Sequence, residues 1–278
     1  LAQSRQVHSV FGLRFAWTCS VHLGRRTNSV PSLSMRAAFK LLRGLWHVLM
    51  GWVTIYFRFP QFTPQQREAR VQVWAMQLLR IWDIDLEVRG KPVLAGPALL
   101  VCNHISWLDI LVIHATRHCR FVSKSELRGW PLLGTLATGA GTLYIERAQR
   151  KDAMRMVKDM AQSLRAGEVL AVFPEGTTGD GIGMLPFHSN LIQSAIEGDA
   201  PIQTLALQFV DTHTHSISMA ARFVGDDTLL ASIWSTLNAT GLKAVVNFGE
   251  LQMAQGRNRR EWASDLHQDV MALKKNCL

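Results

Sequence analysis

The sequence of 278 residues is poor in cysteine, and its few thiols form no recognisable pattern. Cys19, Cys102, Cys119 and Cys277 are widely spaced, with no CxxC pair. They predict neither a disulfide framework nor a zinc site, and the simplest interpretation is four free thiols in a reducing compartment. Charged residues make up only 18% of the chain and apolar residues 48%, which excludes a disordered or collagen-like protein.

Acidic residues are missing from the first part of the chain, where the first is Glu68. The formal charge of the whole chain is +9. Residues 1–60 hold +8 of it, leaving 22 basic and 21 acidic residues in the rest. An overall basic balance indicates an anionic partner. A nucleic-acid-binding protein usually spreads its basic face over the folded domain, so this distribution favours an anionic membrane surface and no nucleic acid.

Residues 1–34 precede the first methionine, Met35. They contain arginine and serine but no acid, which is typical of a transit peptide. No apolar stripe of helical period runs through them, so we favour translated sequence before a true start at Met35, or a cloning remnant, over a transit peptide. In either case we expect residues 1–34 to be a disordered leader or upstream extension.

Residues 35–84 are predicted to form a membrane-associated two-helix segment. The run Gly44–Phe57 has no charge and lies between Arg43 and Arg58. As a helix it would extend about 21 Å, short of the ~30 Å hydrocarbon core of a bilayer. An interfacial helix with aromatic side chains at headgroup depth therefore fits better than a spanning one, and a buried helix of a soluble protein is the alternative. A second amphipathic helix is predicted from Pro64.

Residues 85–278 are predicted to form one α/β domain, because apolar strands alternate with helices and such strands belong to a sheet covered on both faces. The predicted strands are 85–90, 97–102, 120–123, 141–146, 169–173, 202–210, 216–223 and 243–248, and the predicted helices are 107–116, 151–166, 189–197 and 261–274.

The segment Asn103–Asp109 follows a predicted strand and opens a predicted helix. A neutral imidazole such as that of His104 can take a proton from a hydroxyl, and a carboxylate such as that of Asp109 can orient it. On one straight helix a spacing of five would put the two side chains about 140° apart, so the pairing requires His104 in the turn before the helix. Ser106 and Asp109 also form a capping-box pattern that needs no catalysis, and the spacing leaves both interpretations open.

A second segment, Gly141–Arg147, places a cation at the exit of a predicted strand. Arginine binds phosphate bidentately, and ligands approach an α/β sheet at strand exits. A solvated basic turn would give the same pattern.

A third segment, Phe173–Gly181, runs from a strand into a turn with three glycines. Glycine lets backbone amides approach an anion closely, and the hydroxyls of Thr177 and Thr178 add donors. A plain surface turn is the alternative.

Metal chemistry is not expected. His114 and His118 are one helical turn apart, and Asp211, His213 and His215 alternate along a predicted strand. Neither group completes a ligand set, and solvated or packed histidines explain both.

Four segments together resemble the glycerolipid acyltransferase family, and within it the bacterial 1-acylglycerol-3-phosphate O-acyltransferases. In the family's order they are NHISWLD from Asn103, GTLYIER from Gly141, FPEGTT from Phe173 and APIQTLAL from Ala200, within about residues 85–225. The resemblance implies a mixed sheet flanked by helices, preceded by an N-terminal membrane-associated helical hairpin. It also implies a membrane-associated enzyme, on the cytoplasmic face of a bacterial inner membrane.

The resemblance implies transfer of a fatty acyl group from acyl-CoA or acyl carrier protein to the free hydroxyl of 1-acyl-sn-glycerol 3-phosphate. The product would be phosphatidic acid for phospholipid synthesis. No cofactor is expected, and an anionic membrane surface is the expected partner beside the two substrates. His104 would be the general base and Asp109 its orienting carboxylate. The substrate-binding residues would be Asn103, Arg147, Glu175, Gly176, Thr177 and Thr178, with Arg147 on the acceptor phosphate.

Two positions depart from the family pattern. Thr178 stands where members often have arginine after EGT, and His188 stands where many have lysine. Both changes weaken the expectation of a lysophosphatidic acid acceptor and favour another lysolipid, such as lyso-ornithine lipid. A hydrolase with the same His–Asp pair and a non-catalytic lysolipid-binding membrane protein are the remaining alternatives.

Overall fold

The computed structural model describes residues 34–145 and 150–278. The predicted leader, apart from Ser34, lies outside these ranges. Arg147 lies outside them as well.

Two helices open the described chain: α1 spans Met35–Phe57 and α2 spans Pro64–Ile81. Thr63 and Gln66 form the capping box at the start of α2, with Pro64 at the first helical position, so the start signals in the sequence are confirmed. Helix α1 begins well before the charge-free run. No helix in the described part of the chain is both long and apolar enough to cross a membrane.

The two helices pack antiparallel through glycines on α1. Gly44 lies against the indole of Trp82, and Gly51 lies against that of Trp74. Only the absence of a Cβ allows this approach, because a Cβ on Gly51 would lie 2.5 Å from Trp74 Nε1. Helix α2 also contributes buried leucines, among them Leu78, to the hydrophobic cluster that underlies the sheet.

A mixed sheet forms the centre of the molecule. Its strands are β1 (Asp85–Arg89), β2 (Ala98–Cys102), β3 (Arg120–Lys124), β4 (Leu143–Ile145), β5 (Val169–Val172), β6 (Ile202–Asp211), β7 (Ser216–Ile217) and β8 (Leu242–Gln252). The order is β1-β8-β6-β2-β5-β3-β4, with β7 beside β6. The pairs β6–β8 and β6–β7 are antiparallel, and the other pairs are parallel.

Helices cover both faces of the sheet. They are α3 (Leu108–Thr116), α4 (Leu133–Gly139), α5 (Arg150–Arg165), α6 (Ser189–Gly198), α7 (Leu229–Asn238) and α8 (Arg259–Lys275). Alternate residues of β2 enter different clusters: Leu100 packs with α2 and α3, whereas Leu99 and Val101 pack with α5, α6 and α8. All five residues of β2 are buried, which confirms the prediction of a covered sheet.

Three elements differ from the sequence prediction. The predicted strand 216–223 is wrong beyond Ile217, because β7 pairs with β6 over only two residues and the chain then turns away. Helices α4 and α7 were not predicted. Helix α4 has only seven residues, two of them glycine, too short for a periodic signal, and the Thr228 cap of α7 precedes a segment of low polarity.

Candidate active site

The imidazole of His104 and the carboxylate of Asp109 lie at the carboxyl end of β2, where the chain turns into α3. His104 Nδ1 donates to Asp109 Oδ2 at 2.8 Å. The same oxygen accepts the backbone N–H groups of Ile105 at 2.6 Å and Ser106 at 2.9 Å. His104 lies in the turn and Asp109 in the first turn of the helix, so the geometry predicted for the pair is present.

The capping box predicted for Ser106 and Asp109 does not form, because Ser106 Oγ accepts from Leu108 N and no side chain caps α3. One carboxylate oxygen of Asp109 nevertheless binds the backbone amides of the turn and also orients the imidazole. Asp109 is fully buried, whereas 18% of the His104 side chain is exposed. These hydrogen bonds stabilise the folded protein, because a buried carboxylate without donors would be costly in free energy.

The other ring nitrogen of His104 has no hydrogen-bond partner within residues 34–145 and 150–278. Since Nδ1 donates to Asp109, Nε2 of the neutral ring has the lone pair. Phe173 stacks on the imidazole with ring centroids 3.9 Å apart and planes within 9°. The ring is thus held at one edge and one face, with Nε2 free to accept a proton.

His104 opens on a cleft of about 330 Å³. Two charged side chains at the exit of β3, Lys124 and Glu126, line it together with Ser123. The rest of the lining is mostly apolar and comprises Val122, Leu127, Trp130, Val172, Phe173, Gly176 and Leu191. Few polar groups in a largely apolar cleft are typical of small-molecule binding sites.

Sequence reasoning missed Lys124 and Glu126. The signal was present, because both follow a predicted strand, as Arg147 does. Arg147 lies outside the described residues, and its role on a phosphate stays a prediction.

Glu175 has a different position from the one expected of a substrate ligand. Its Oε1 accepts His104 N and its Oε2 accepts Leu185 N, each at 2.7 Å. It is 5% exposed; burial raises the pKa of its carboxyl, and the two backbone donors oppose that shift. In this geometry Glu175 fixes the turn that bears His104 and does not line the cleft.

Asn103 is also engaged with the backbone. Its Nδ2 donates to Leu207 O at 3.0 Å and its Oδ1 accepts Leu207 N at 2.8 Å. The side chain is 2% exposed. Its amide therefore joins the end of β2 to β6, and the predicted contact with substrate finds no support in this geometry.

Of the three predicted residues after Glu175, only Gly176 lines the cleft. Its φ of +74° is in the left-handed region, and a Cβ there would lie 3.0 Å from His188 Cδ2, so the position requires glycine. Thr177 is exposed and Thr178 partly exposed, both on the same turn but outside the lining.

The histidines noted in the sequence show no ligand geometry. His114 and His118 stack at 5.5 Å, and burial lowers the pKa of His114 to about 3. In the described part of the chain no three His, Cys, Asp or Glu residues are grouped to hold a metal ion. Asp211 Oδ1 instead accepts the N–H groups of His213 and Thr214 in a turn.

Comparison with known proteins identifies the family. The family model Acyltransferase matches residues 85–208. A lyso-ornithine lipid O-acyltransferase of Pseudomonas aeruginosa is 34% identical over 224 residues, covering 80% of this chain and 85% of that protein. The chain therefore belongs to the acyltransferase family, and the resemblance drawn from the four motifs is confirmed.

Other relatives differ in the acceptor that they are named for. A 1-acyl-sn-glycerol-3-phosphate acyltransferase of Neisseria meningitidis is 37% identical over 150 residues, covering 53% of this chain and 58% of that protein. The crystal structure of the 1-acyl-sn-glycerophosphate (LPA) acyltransferase PlsC of Thermotoga maritima superposes with a TM-score of 0.61 at 18% identity, covering 87% of this chain and 98% of that chain. This likeness confirms the mixed α/β fold.

Proposed function

We propose that the protein transfers a fatty acyl group from a thioester, acyl-CoA or acyl carrier protein, to the free hydroxyl of a lysolipid. One observation supports this most directly: a buried Asp109 holds His104 Nδ1 and leaves Nε2 open to a largely apolar cleft. This geometry suits a general base that takes a proton from a bound hydroxyl.

In the proposed reaction His104 Nε2 takes the hydroxyl proton as the acceptor oxygen attacks the thioester carbonyl. The carboxylate of Asp109 stabilises the imidazolium. The tetrahedral intermediate collapses by breaking the carbon–sulfur bond, and the thiolate leaves with the proton from Nε2. The products are the ester and a free thiol, and His104 is regenerated.

Direct attack is favoured over an acyl-enzyme. The thiol nearest in sequence, Cys102, is 1% exposed, and burial raises the pKa of that thiol well above its ordinary value. Ser123 lines the cleft, but no hydrogen bond joins it to His104 in the described residues. A nucleophile is normally activated by contact with its base.

The first candidate acceptor is 1-acyl-sn-glycerol 3-phosphate, which would give phosphatidic acid. Lys124 supplies a cation to the described wall of the cleft, and Arg147 would supply a second. Ammonium and guanidinium groups are the usual partners of a phosphate.

Lyso-ornithine lipid is a second candidate with support of its own. An ornithine head group has both a carboxylate and an ammonium, and the cleft presents both Lys124 and Glu126. Thr178 stands where the family often has arginine, which lowers the positive charge around a phosphate. The relative named for this acceptor matches over 80% of the chain.

An acceptor panel tests both candidates. Purified protein would receive one labelled acyl-CoA with each lysolipid in turn, and product ester and free fatty acid would be counted. We expect ester formation to require lysolipid and to be abolished in His104→Ala, while the exposed His213→Ala stays at wild-type level. Free fatty acid without ester would indicate a hydrolase, and lysolipid binding without turnover a binding protein; either contradicts the proposal.

Glu126→Gln separates the two acceptors. If the cleft binds an ornithine head group, the loss of its anion should raise KM for lyso-ornithine lipid. For lysophosphatidic acid the same change removes a repulsive charge and should lower KM. Equal effects on both acceptors would contradict a role for Glu126 in acceptor choice.

We also propose that α1 lies on an anionic membrane surface, on the cytoplasmic face of a bacterial inner membrane. Large apolar side chains at helical spacing are exposed along one side of α1, among them Phe39 at 60%, Leu42 at 65%, Trp46 at 62%, Leu49 at 41% and Tyr56 at 64%. Exposed apolar rows of this kind with cations beside them suit an interfacial helix.

The cations of α1 are not equivalent in this respect. Arg43 and Arg58 are exposed and free to meet lipid headgroups. Lys40, by contrast, is 4% exposed, with Nζ 3.3 Å from Asp83 Oδ2. Lys40 instead links α1 to the end of α2.

A further inference from the structure

Lys274, in the last turn of α8, contacts the loop that bears the FPEGTT segment. We call residues 174–188 the motif loop. Lys274 Nζ donates to the backbone carbonyls of Ile182 at 3.0 Å and Gly183 at 2.9 Å. Lys274 lies far outside residues 85–208, which match the family model.

Asp180 binds the backbone N–H groups of the same two residues. Its Oδ1 accepts the N–H groups of Ile182 and Gly183, each at 2.9 Å. The carboxylate of Asp180 thus binds the backbone donors of residues 182 and 183, and the ammonium of Lys274 binds their carbonyl acceptors. Such charge-assisted hydrogen bonds are stronger than neutral ones.

The motif loop is connected to His104 through Glu175. Leu185 N donates to Glu175 Oε2, and Glu175 Oε1 accepts His104 N. Gly179 N donates to His104 O at 2.7 Å. A shift of the motif loop would therefore move Gly176, which lines the cleft, whereas the imidazole of His104 stays bound to Asp109 through Nδ1.

Lys274 is not an ordinary surface lysine at a helix end. It is partly buried, and burial lowers the pKa of its ammonium, while the carboxylates of Glu175 and Asp180 oppose that shift. The motif loop also rests on α8 through the ring of Phe187, whose centroid is 5.0 Å from that of His267. The neighbouring Lys275 is exposed and makes no hydrogen bond or ion pair in the described residues.

We propose that Lys274 is a positioning residue for acceptor binding, which holds the motif loop in the conformation that places Gly176 at the cleft. The inference rests on the proposed acyl transfer to a lysolipid. Lys274 touches no reacting atom, so its loss should weaken acceptor binding more than it slows the chemical step.

The test compares Lys274→Met, Lys274→Arg and Lys275→Met in the full chain. We expect Lys274→Met to raise KM for the lysolipid about tenfold, with kcat and the KM for acyl-CoA within about twofold of wild type. Arginine can donate to both carbonyls and should restore most of the loss, and Lys275→Met should behave as wild type. A purely structural role would lower the active fraction, and so the apparent kcat, with KM unchanged.

Hydrogen exchange gives a readout that needs no substrate. Amides of residues 180–185 should exchange faster in Lys274→Met and at the wild-type rate in Lys275→Met. Suppose that the wild-type protein transfers acyl groups to a lysolipid. An unchanged acceptor KM in Lys274→Met, or unchanged hydrogen exchange in that variant, would then overturn this inference and leave the proposed function standing. No transfer by the wild-type protein to any lysolipid would overturn the proposed function, and the acceptor-binding role with it.

Discussion

Asp109 Oδ2 accepts three hydrogen bonds, from His104 Nδ1 and from the amides of Ile105 and Ser106, whereas Oδ1 is buried without a partner in the described residues. This asymmetry makes Asp109→Asn an unusually clean perturbation. Two backbone donors require an oxygen at the Oδ2 position, so the asparagine amide nitrogen must take the Oδ1 position. The imidazole keeps its hydrogen-bond acceptor and its tautomer, and only the charge is lost.

The size of the effect follows from the contact. With Nδ1 and Oδ2 2.8 Å apart, the charge centres of an imidazolium and a carboxylate are about 4 Å apart, which is worth about 4 kcal/mol at an effective dielectric constant of about 20. Losing that stabilisation as His104 takes the proton lowers kcat about a thousandfold. The buried amide NH₂ without an acceptor should lower the free energy of unfolding by about 1–3 kcal/mol.

The assay is single-turnover acyl transfer at saturating lysolipid, with urea unfolding of the same samples. Asp109→Ala should lose both the rate and more stability, because the amides of the turn lose their acceptor. The exposed Asp226→Asn should change neither. A rate for Asp109→Asn within about threefold of wild type would refute the charge argument. A free energy of unfolding as low as that of Asp109→Ala would refute the assigned orientation of the amide.

Three other substitutions probe the packing around this site and the α1 surface. Glu175→Gln leaves one oxygen for two backbone donors and should lower the free energy of unfolding by about 1–3 kcal/mol in urea unfolding. Burial raises the pKa of Glu175 in the folded protein. The free energy of unfolding of the wild type should therefore fall relative to that of this variant as pH rises above 4.5, where the carboxyl ionises in the unfolded chain first. Gly51→Ala should lower the melting temperature, because its Cβ would lie 2.5 Å from Trp74 Nε1, whereas Gly129→Ala meets nothing within 4 Å and should not. Trp46→Ser should weaken sedimentation with anionic vesicles without changing the melting temperature, since Trp46 is 62% exposed; unchanged sedimentation would contradict the membrane-facing role.

Local signals in the sequence predicted most strands of the sheet and placed His104 and Asp109 at one strand end. Continuous apolar runs predicted β2 and β5 because both strands are buried on two faces. The spacing of His104 and Asp109 allowed their pairing but left a capping role open, and the resemblance to the acyltransferase family favoured the pairing.

Contacts between distant segments were beyond this kind of reasoning. Lys274 donates to two carbonyl oxygens 91 and 92 residues earlier in the chain. Every residue has a backbone carbonyl, so nothing in the sequence marks these two as its partners. Glu175 and Asn103 were predicted to touch substrate because a polar side chain in a motif looks the same whether it faces a ligand or buried backbone. Only the three-dimensional structure shows that both are committed to amide and carbonyl groups.

These backbone contacts indicate which residues select the acceptor. Asp109, Glu175 and Asn103 all use their polar atoms to hold backbone around His104, so in this geometry they support the proposed base and do not contact a head group. The charged groups that face the cleft in the described chain are Lys124 and Glu126, from the end of β3. Exchange of residues 122–130 between relatives named for different acceptors should therefore shift acceptor preference more than exchange of residues 103–109, because the proton transfer proposed for the latter segment is the same whichever lysolipid is bound.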